Sequence, residues 1–186
     1  MSKPQLPKFG KFENDVIATW LLEADKPDRI MQLAGPFAYI DPANTRWDAP
    51  TGSKIDGASI PEFFWGSIFG SPYTGDFRRA SVVHDVACDK QAKPWQDVHK
   101  MFFYAMRCDD TAPWLANAMF AAVWLFGPRW GQKQQPLSQT NRNIRAFHGL
   151  TSNQEFISEQ PLASLLKHVQ GLETSLRKSA SRRSVR

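Results

Sequence analysis

The sequence predicts an α+β fold, with a small N-terminal antiparallel β-meander, a three-helix core and a flexible C-terminal extension. Short apolar runs separated by Asp-, Gly- and Pro-containing turns fill the first 55 residues, a pattern typical of strands. From residue 76 onwards, apolar residues recur at three- and four-residue spacing, which is the period of helices that bury one face. At 186 residues the chain is long enough for one domain with a buried core.

Three regions follow from the composition. Residues 1–12, rich in Lys and Pro, are expected to form an extended arm, and residues 13–131 a single α+β domain. Residues 132–186 comprise a polar, Gln-rich linker, an amphipathic helix and a basic tail.

The strands of the meander are predicted at residues 16–22, 29–33 and 37–40, with a further short strand end at Lys54 and Ile55. Helices are predicted over residues 76–89, 94–107 and about 112–126, and a short amphipathic helix over about 159–177. The third helix is apolar on all sides, which indicates the central helix of the core.

The formal net charge of +5 lies in the tail, where Arg177, Lys178, Arg182, Arg183 and Arg186 have no acidic residue among them. The remainder of the chain is neutral. This distribution predicts a solvated tail, and no nucleic-acid binding beyond weak contact by the tail.

The cysteine content and the lengths of the apolar runs indicate the cellular compartment of the protein. Cys88 and Cys108 are too few for a disulfide framework, and the N-terminus lacks the apolar core of a signal peptide. The longest apolar run has about 15 residues, fewer than the ~20 that span a bilayer. We therefore expect a cytoplasmic protein without a signal peptide or a transmembrane segment.

Ionisable residues set among aromatic ones point to a site. On the first helix His84 and Asp85 point about 100° apart, so they can flank a pocket from two sides. The preceding Asp56-Gly57-Ala58-Ser59 turn can bring backbone carbonyls to a hard cation, which makes Asp56, Gly57, Ser59 and Asp85 candidate metal ligands. The alternative is that His84 is a core histidine and Asp85 a solvated carboxylate.

The second helix carries the candidate partners of His84. If the two helices pair across their short turn, His99 faces His84, and two imidazoles with carboxylates would suit Zn²⁺ or another divalent transition metal. Asp97 could orient His84 instead, but it lies on a different face from His99, so one of the two points inward. Alternatively, His99 is exposed. Cys88, one turn after His84, is either a nucleophile or an inert buried side chain.

The order of these motifs resembles domain-of-unknown-function family 1353, which is found largely in phage and prophage genomes. The resemblance rests on Asp-Gly-Ala-Ser-x-Pro from Asp56, on Ala-Ser-Val-Val-His-Asp ending at Asp85, on His-Lys-Met-Phe-x-x-Ala-Met from His99, and on Phe-Gly-Pro-Arg-Trp ending at Trp130. It implies a phage or prophage source, and it implies no activity.

The stretch is also similar, more distantly, to microbial secreted phospholipases A2, which carry an Asp-Gly-Cys-Ser loop and an Ala-Cys-x-x-His-Asp helix. The two cysteines that pair in those enzymes are Ala58 and Ser81 here. The resemblance implies that His84 is the general base for a water molecule. It also implies that Asp85 and the loop bind Ca²⁺, and that Asp97 or His99 orients His84.

Two functions are therefore expected. The first is a divalent-metal-dependent hydrolase of phospholipase A2 type that cleaves a lipid or another ester. The alternative is a non-enzymatic virion, tail or host-interaction protein whose partners are phage structural proteins, with the His-Asp cluster serving as a structural staple.

Overall fold

Six strands precede six helices in the part of the chain that the computed structural model describes, residues 8–21, 30–55, 76–131 and 134–184. This order confirms the α+β class. The strands are β1 (Lys11–Glu13), β2 (Ala18–Trp20), β3 (Met31–Leu33), β4 (Phe37–Ile40), β5 (Arg46–Ala49) and β6 (Lys54–Ile55). The helices are α1 (Arg78–Lys90), α2 (Trp95–Cys108), α3 (Pro113–Phe126), α4 (Asn141–Thr151), α5 (Gln154–Ile157) and α6 (Leu162–Ser184).

The strands form two antiparallel sheets rather than one meander, with the orders β1-β4-β5 and β2-β3-β6. Both sheets join strands that are distant in sequence, as in the pairing of Phe12 with Tyr39. The strands β1 and β5 lie outside the predicted ones. With three and four residues, they are too short for their alternation to be recognised in the sequence.

The helices α1 and α2 form an antiparallel pair across a four-residue connection. Gln91 ends α1 in the left-handed conformation at φ 49°, and Pro94 directly precedes α2. The apolar helix α3 packs on α2 and is buried along almost its whole length, as expected of a central core helix. Among the helices that the structure describes, none combines the length and the apolarity needed to cross a bilayer.

The C-terminal extension is not the flexible segment that the composition predicts. Within it α4, α5 and α6 pack against α3, and Phe147, Phe156, Leu165 and Val169 are buried in the same core cluster as the α1–α3 residues. The side-chain amide of Asn117 on α3 donates to the carbonyl oxygens of Phe156 and Ser158 at 2.6 and 3.0 Å. This segment is ordered by tertiary packing, because its few large apolar side chains bury enough surface to stabilise an otherwise polar stretch.

Candidate metal centre

The structure places His84 and His99 together between α1 and α2. Nε2 of His84 lies 2.9 Å from Nδ1 of His99, and both side chains are fully buried. The helical period produces this contact, since residues of α1 and α2 that face the shared interface meet when the helices run antiparallel.

A third donor atom converges on the same point. Cys88 lies one turn after His84 on α1, and its Sγ is 3.7 Å from Nε2 of His84. One ligand atom from each of His84, Cys88 and His99 lies within 4.8 Å of the other two. We call this group the His2Cys centre.

Aromatic side chains enclose the His2Cys centre. The ring of Phe102 stacks on His84 with centroids 4.4 Å apart, and the edge of Trp95 meets His99 at 5.4 Å. Beyond Trp95 lie Trp124, at 4.8 Å between ring centroids, and the guanidinium of Arg129, 4.3 Å from the Trp95 ring centre. The centre is therefore dry on these sides.

Burial controls the charge of both imidazoles. It holds the pKa of His84 well below its ordinary value, and the neighbouring His99 lowers that pKa further. Burial lowers the pKa of His99 to about 3, although the backbone carbonyl of Pro128 raises it, and the charge of Arg129 adds to the lowering. Both rings are neutral at pH 7, which is the form that binds metal ions.

Each imidazole has a second ring nitrogen that faces away from the other ring: Nδ1 of His84 and Nε2 of His99. Proline has no N–H, so the backbone group of Pro128 that acts on His99 is its carbonyl oxygen. Because Nδ1 of His99 faces His84, Nε2 is the nitrogen left for Pro128. Neither Nε2 of His99 nor Nδ1 of His84 has a hydrogen bond of ordinary geometry among the described residues.

The other predicted site residues lie elsewhere. Asp97 is on the outer face of α2, with its side chain 52% exposed and paired with Lys100 at 3.3 Å, so the structure does not bring it to His84. Asp85 faces a cleft of about 640 Å³ whose lining also includes Ser81, Asp76 and Asp109. Asp56, Gly57 and Ser59 lie outside the described residues.

Cys88 is a candidate metal ligand that the sequence analysis did not include. The signal was present as a His and a Cys four residues apart on one helix face, a spacing at which two side chains reach one metal ion. Cys88 was predicted to be either a nucleophile or an inert buried side chain, and not a third ligand beside two imidazoles.

A comparison with protein families identifies the chain's relatives. The family model described as "Protein of unknown function (DUF1353)" matches residues 31–123, half of the chain, a range that includes His84, Cys88 and His99. The chain belongs to the DUF1353 family. This confirms the family resemblance of the motif order.

Two relatives of this DUF1353 protein come from Sinorhizobium fredii. The uncharacterized protein y4jT is 36% identical over 143 residues, which cover 77% of this chain and 42% of y4jT. The uncharacterized protein y4iH is 36% identical over 99 residues, 53% of this chain and 41% of y4iH. The chain thus spans less than half the length of either relative. No solved structure matches the chain.

Proposed function

We propose that this DUF1353 protein is a metalloprotein in which His84, Cys88 and His99 bind one divalent transition metal, with zinc as the best match. The convergence of three buried donor atoms from two helices carries the proposal. Bound there, the metal would fasten α1 to α2 in the middle of the domain.

One donor distance matches a tetrahedral zinc ion, and a second would match after a small movement. With Zn–N and Zn–S bonds of about 2.05 and 2.3 Å, tetrahedral angles separate two nitrogens by about 3.4 Å and a nitrogen from a sulfur by about 3.6 Å. The Cys88 Sγ to His84 Nε2 distance of 3.7 Å is close to the second value. The two imidazole nitrogens, at 2.9 Å, would move apart by about half an ångström.

The surroundings of His99 support the same proposal. Histidines that bind metals ordinarily direct their other ring N–H at a carbonyl or carboxylate oxygen. The Pro128 carbonyl raises the pKa of His99, and Nδ1 of His99 already faces His84. A metal on Nδ1 would leave the His99 proton on Nε2, where this carbonyl attracts it.

The chemistry of the donors favours a transition metal over Ca²⁺. Imidazole nitrogen and thiolate sulfur are ligands of zinc and its neighbours, whereas Ca²⁺ takes six to eight oxygens. The complete burial of both imidazoles favours a structural ion, as in the non-enzymatic alternative, although His84, Cys88 and His99 supply three of the four ligands of a closed zinc site. A phage or prophage origin and a virion, tail or host-interaction role remain predictions.

A second candidate function is hydrolysis of a lipid or another ester at the cleft. Asp85 lines this cleft of about 640 Å³, directly beside His84 in sequence. In this proposal Asp85 and the Asp56–Ser59 loop bind Ca²⁺, His84 is the base, and His99 orients it. A proton held between Nε2 of His84 and Nδ1 of His99 would leave Nδ1 of His84 as the acceptor. The lowered pKa of His84 makes it a weak base, which is why this candidate stands second.

Thermal unfolding with EDTA, Zn²⁺ or Ca²⁺ separates the two candidates. At a hundred times its dissociation constant, Zn²⁺ should stabilise the wild type by about 2.7 kcal/mol, or about 5–10 °C in Tm. This shift should be lost in Cys88→Ala and retained in Asp85→Asn and in the control Cys108→Ala. A Ca²⁺ shift that Asp85→Asn alone abolishes would favour the second candidate, and the absence of any Zn²⁺ shift would refute the first.

A further inference from the structure

The positive charge of the chain lies on its C-terminal helices. Residues 132–186 contain nine Lys and Arg residues and three acidic ones, so residues 1–131 are close to neutral. Glu173 is the one acidic residue of α6, and α4 has none. Glu173 is buried and bonded to Arg129 at 2.8 Å and to Arg177 at 2.7 Å, so it does not neutralise the outer surface.

The structure arranges exposed cations along one side of α6. At about 100° per residue, Lys167, Lys178 and Arg182 lie within about 60° of one another around the helix axis. All three are exposed, and they lie opposite the buried face formed by Leu165, Val169 and Leu176. With a rise of 1.5 Å per residue, they span about 22 Å. We call these three residues the cationic stripe.

Small residues occupy the helix positions between the cations of the cationic stripe. Gly171 and Thr174 occupy the same exposed side of α6 between Lys167 and Lys178, and a Cβ atom added at Gly171 would meet nothing within 4 Å. A flat, extended partner can therefore approach the helix backbone closely along this side.

Helix α4 extends the positive surface. Arg142 and Arg145 are exposed on α4, and Nη2 of Arg142 donates to the Ser179 hydroxyl of α6. The contact places a second row of positive charge beside the C-terminal half of the cationic stripe.

We infer that α6 and α4 form a docking surface for a nucleic-acid duplex, held through its phosphate backbone. A straight row of cations over about 22 Å complements the regular phosphates of a double helix, and Thr and Ser hydroxyls add donors to phosphate oxygens. A single-stranded partner fits less well, because α6 contains no Phe, Tyr or Trp on which successive bases could stack.

A membrane surface also fits less well. Amphipathic helices that bind lipid insert large apolar side chains such as Trp, Phe and Leu. Among the described residues, the exposed large apolar side chains are Ile17, Trp20 and Trp114, and none of them lies on α4 or α6. The outer side of α6 is instead polar and small.

The test is the salt dependence of binding to a fluorescent 20-base-pair DNA duplex by the full chain. Five cations contacting phosphates give a slope of log affinity against log salt of about −4.5, a loss of roughly 500-fold between 50 and 200 mM salt. The variant Lys167→Ala/Lys178→Ala/Arg182→Ala should bind more weakly and flatten the slope by about 2.7. The control Lys54→Ala/Lys90→Ala/Lys93→Ala removes the same charge from exposed positions elsewhere and should keep the wild-type slope.

Three results would overturn the inference. They are equal losses in both triple variants, no duplex binding at 50 mM salt, and tighter binding to phosphatidylserine vesicles than to the duplex. The outcome does not depend on the metal proposal, because the cationic stripe lies on the outer side of α6 and shares no residue with the His2Cys centre.

Discussion

Acid should destabilise the metal-free protein through its buried histidine pair. In the unfolded chain both imidazoles take up protons at about pH 6.5. In the folded protein the pKa of His99 is lowered to about 3 and that of His84 lies well below its ordinary value. Below pH 6.5 the unfolded state therefore binds more protons than the folded state, and stability falls as the pH falls.

The size of this loss of stability follows from the number of protons that the protein takes up on unfolding. Each proton taken up on unfolding changes the free energy of unfolding by about 1.4 kcal/mol per pH unit. Two buried imidazoles thus contribute up to about 2.7 kcal/mol per pH unit between pH 5.5 and pH 4.5. Protonation of carboxylates also changes the free energy of unfolding in this pH range. That contribution is the same in the wild type and in variants that differ only at the histidine pair.

Urea unfolding at pH 7.0, 5.5 and 4.5 in EDTA measures this slope. His99→Gln should reduce it by about 1.4 kcal/mol per pH unit relative to the wild type. Phe102→Leu is the control, because Phe102 stacks on His84, so the variant loses packing without losing a proton. Free energy–pH curves for the wild type and His99→Gln that run parallel would refute the reasoning.

Three further variants test the C-terminal packing by urea unfolding. Glu173→Gln leaves the buried Arg129 without its carboxylate and should cost about 3 kcal/mol, whereas the exposed Glu159→Gln should cost far less. Asn117→Ala removes one buried and one partly buried hydrogen bond to Phe156 and Ser158 and should cost about 2 kcal/mol. Gly149→Ala should stabilise α4 by about 0.5–1 kcal/mol, since nothing lies within 4 Å of the added carbon, and a loss would contradict the packing described.

The sequence predicted helices α1, α2 and α3 well. The three- and four-residue spacing on α1 and α2 placed His84 and His99 on facing sides, and the structure has them 2.9 Å apart. Helical periodicity predicts such contacts because it determines which side chains lie on the same face of a helix. Two helices joined by a short connection also pack against each other as neighbours.

The elements that the sequence did not predict are stabilised by contacts between residues that are distant in sequence. The strand β1 pairs with β4 across more than twenty residues, and its three residues show no readable alternation. In α4, polar residues outnumber the apolar ones, and the helix is held by the burial of Phe147, which only tertiary packing reveals. α6 continues to Ser184 past the predicted end at residue 177, carrying charges that the sequence placed in a loose tail.

The metal content of the purified protein tests the central proposal most directly. After exchange with Co²⁺, the wild type is predicted to hold one ion per chain with a thiolate-to-cobalt charge-transfer band. Cys88→Ser should lose that band, and Cys108→Ala should keep it. A wild-type protein that binds no Co²⁺ or Zn²⁺, or a band that persists in Cys88→Ser, would contradict the assignment of His84, Cys88 and His99 as metal ligands.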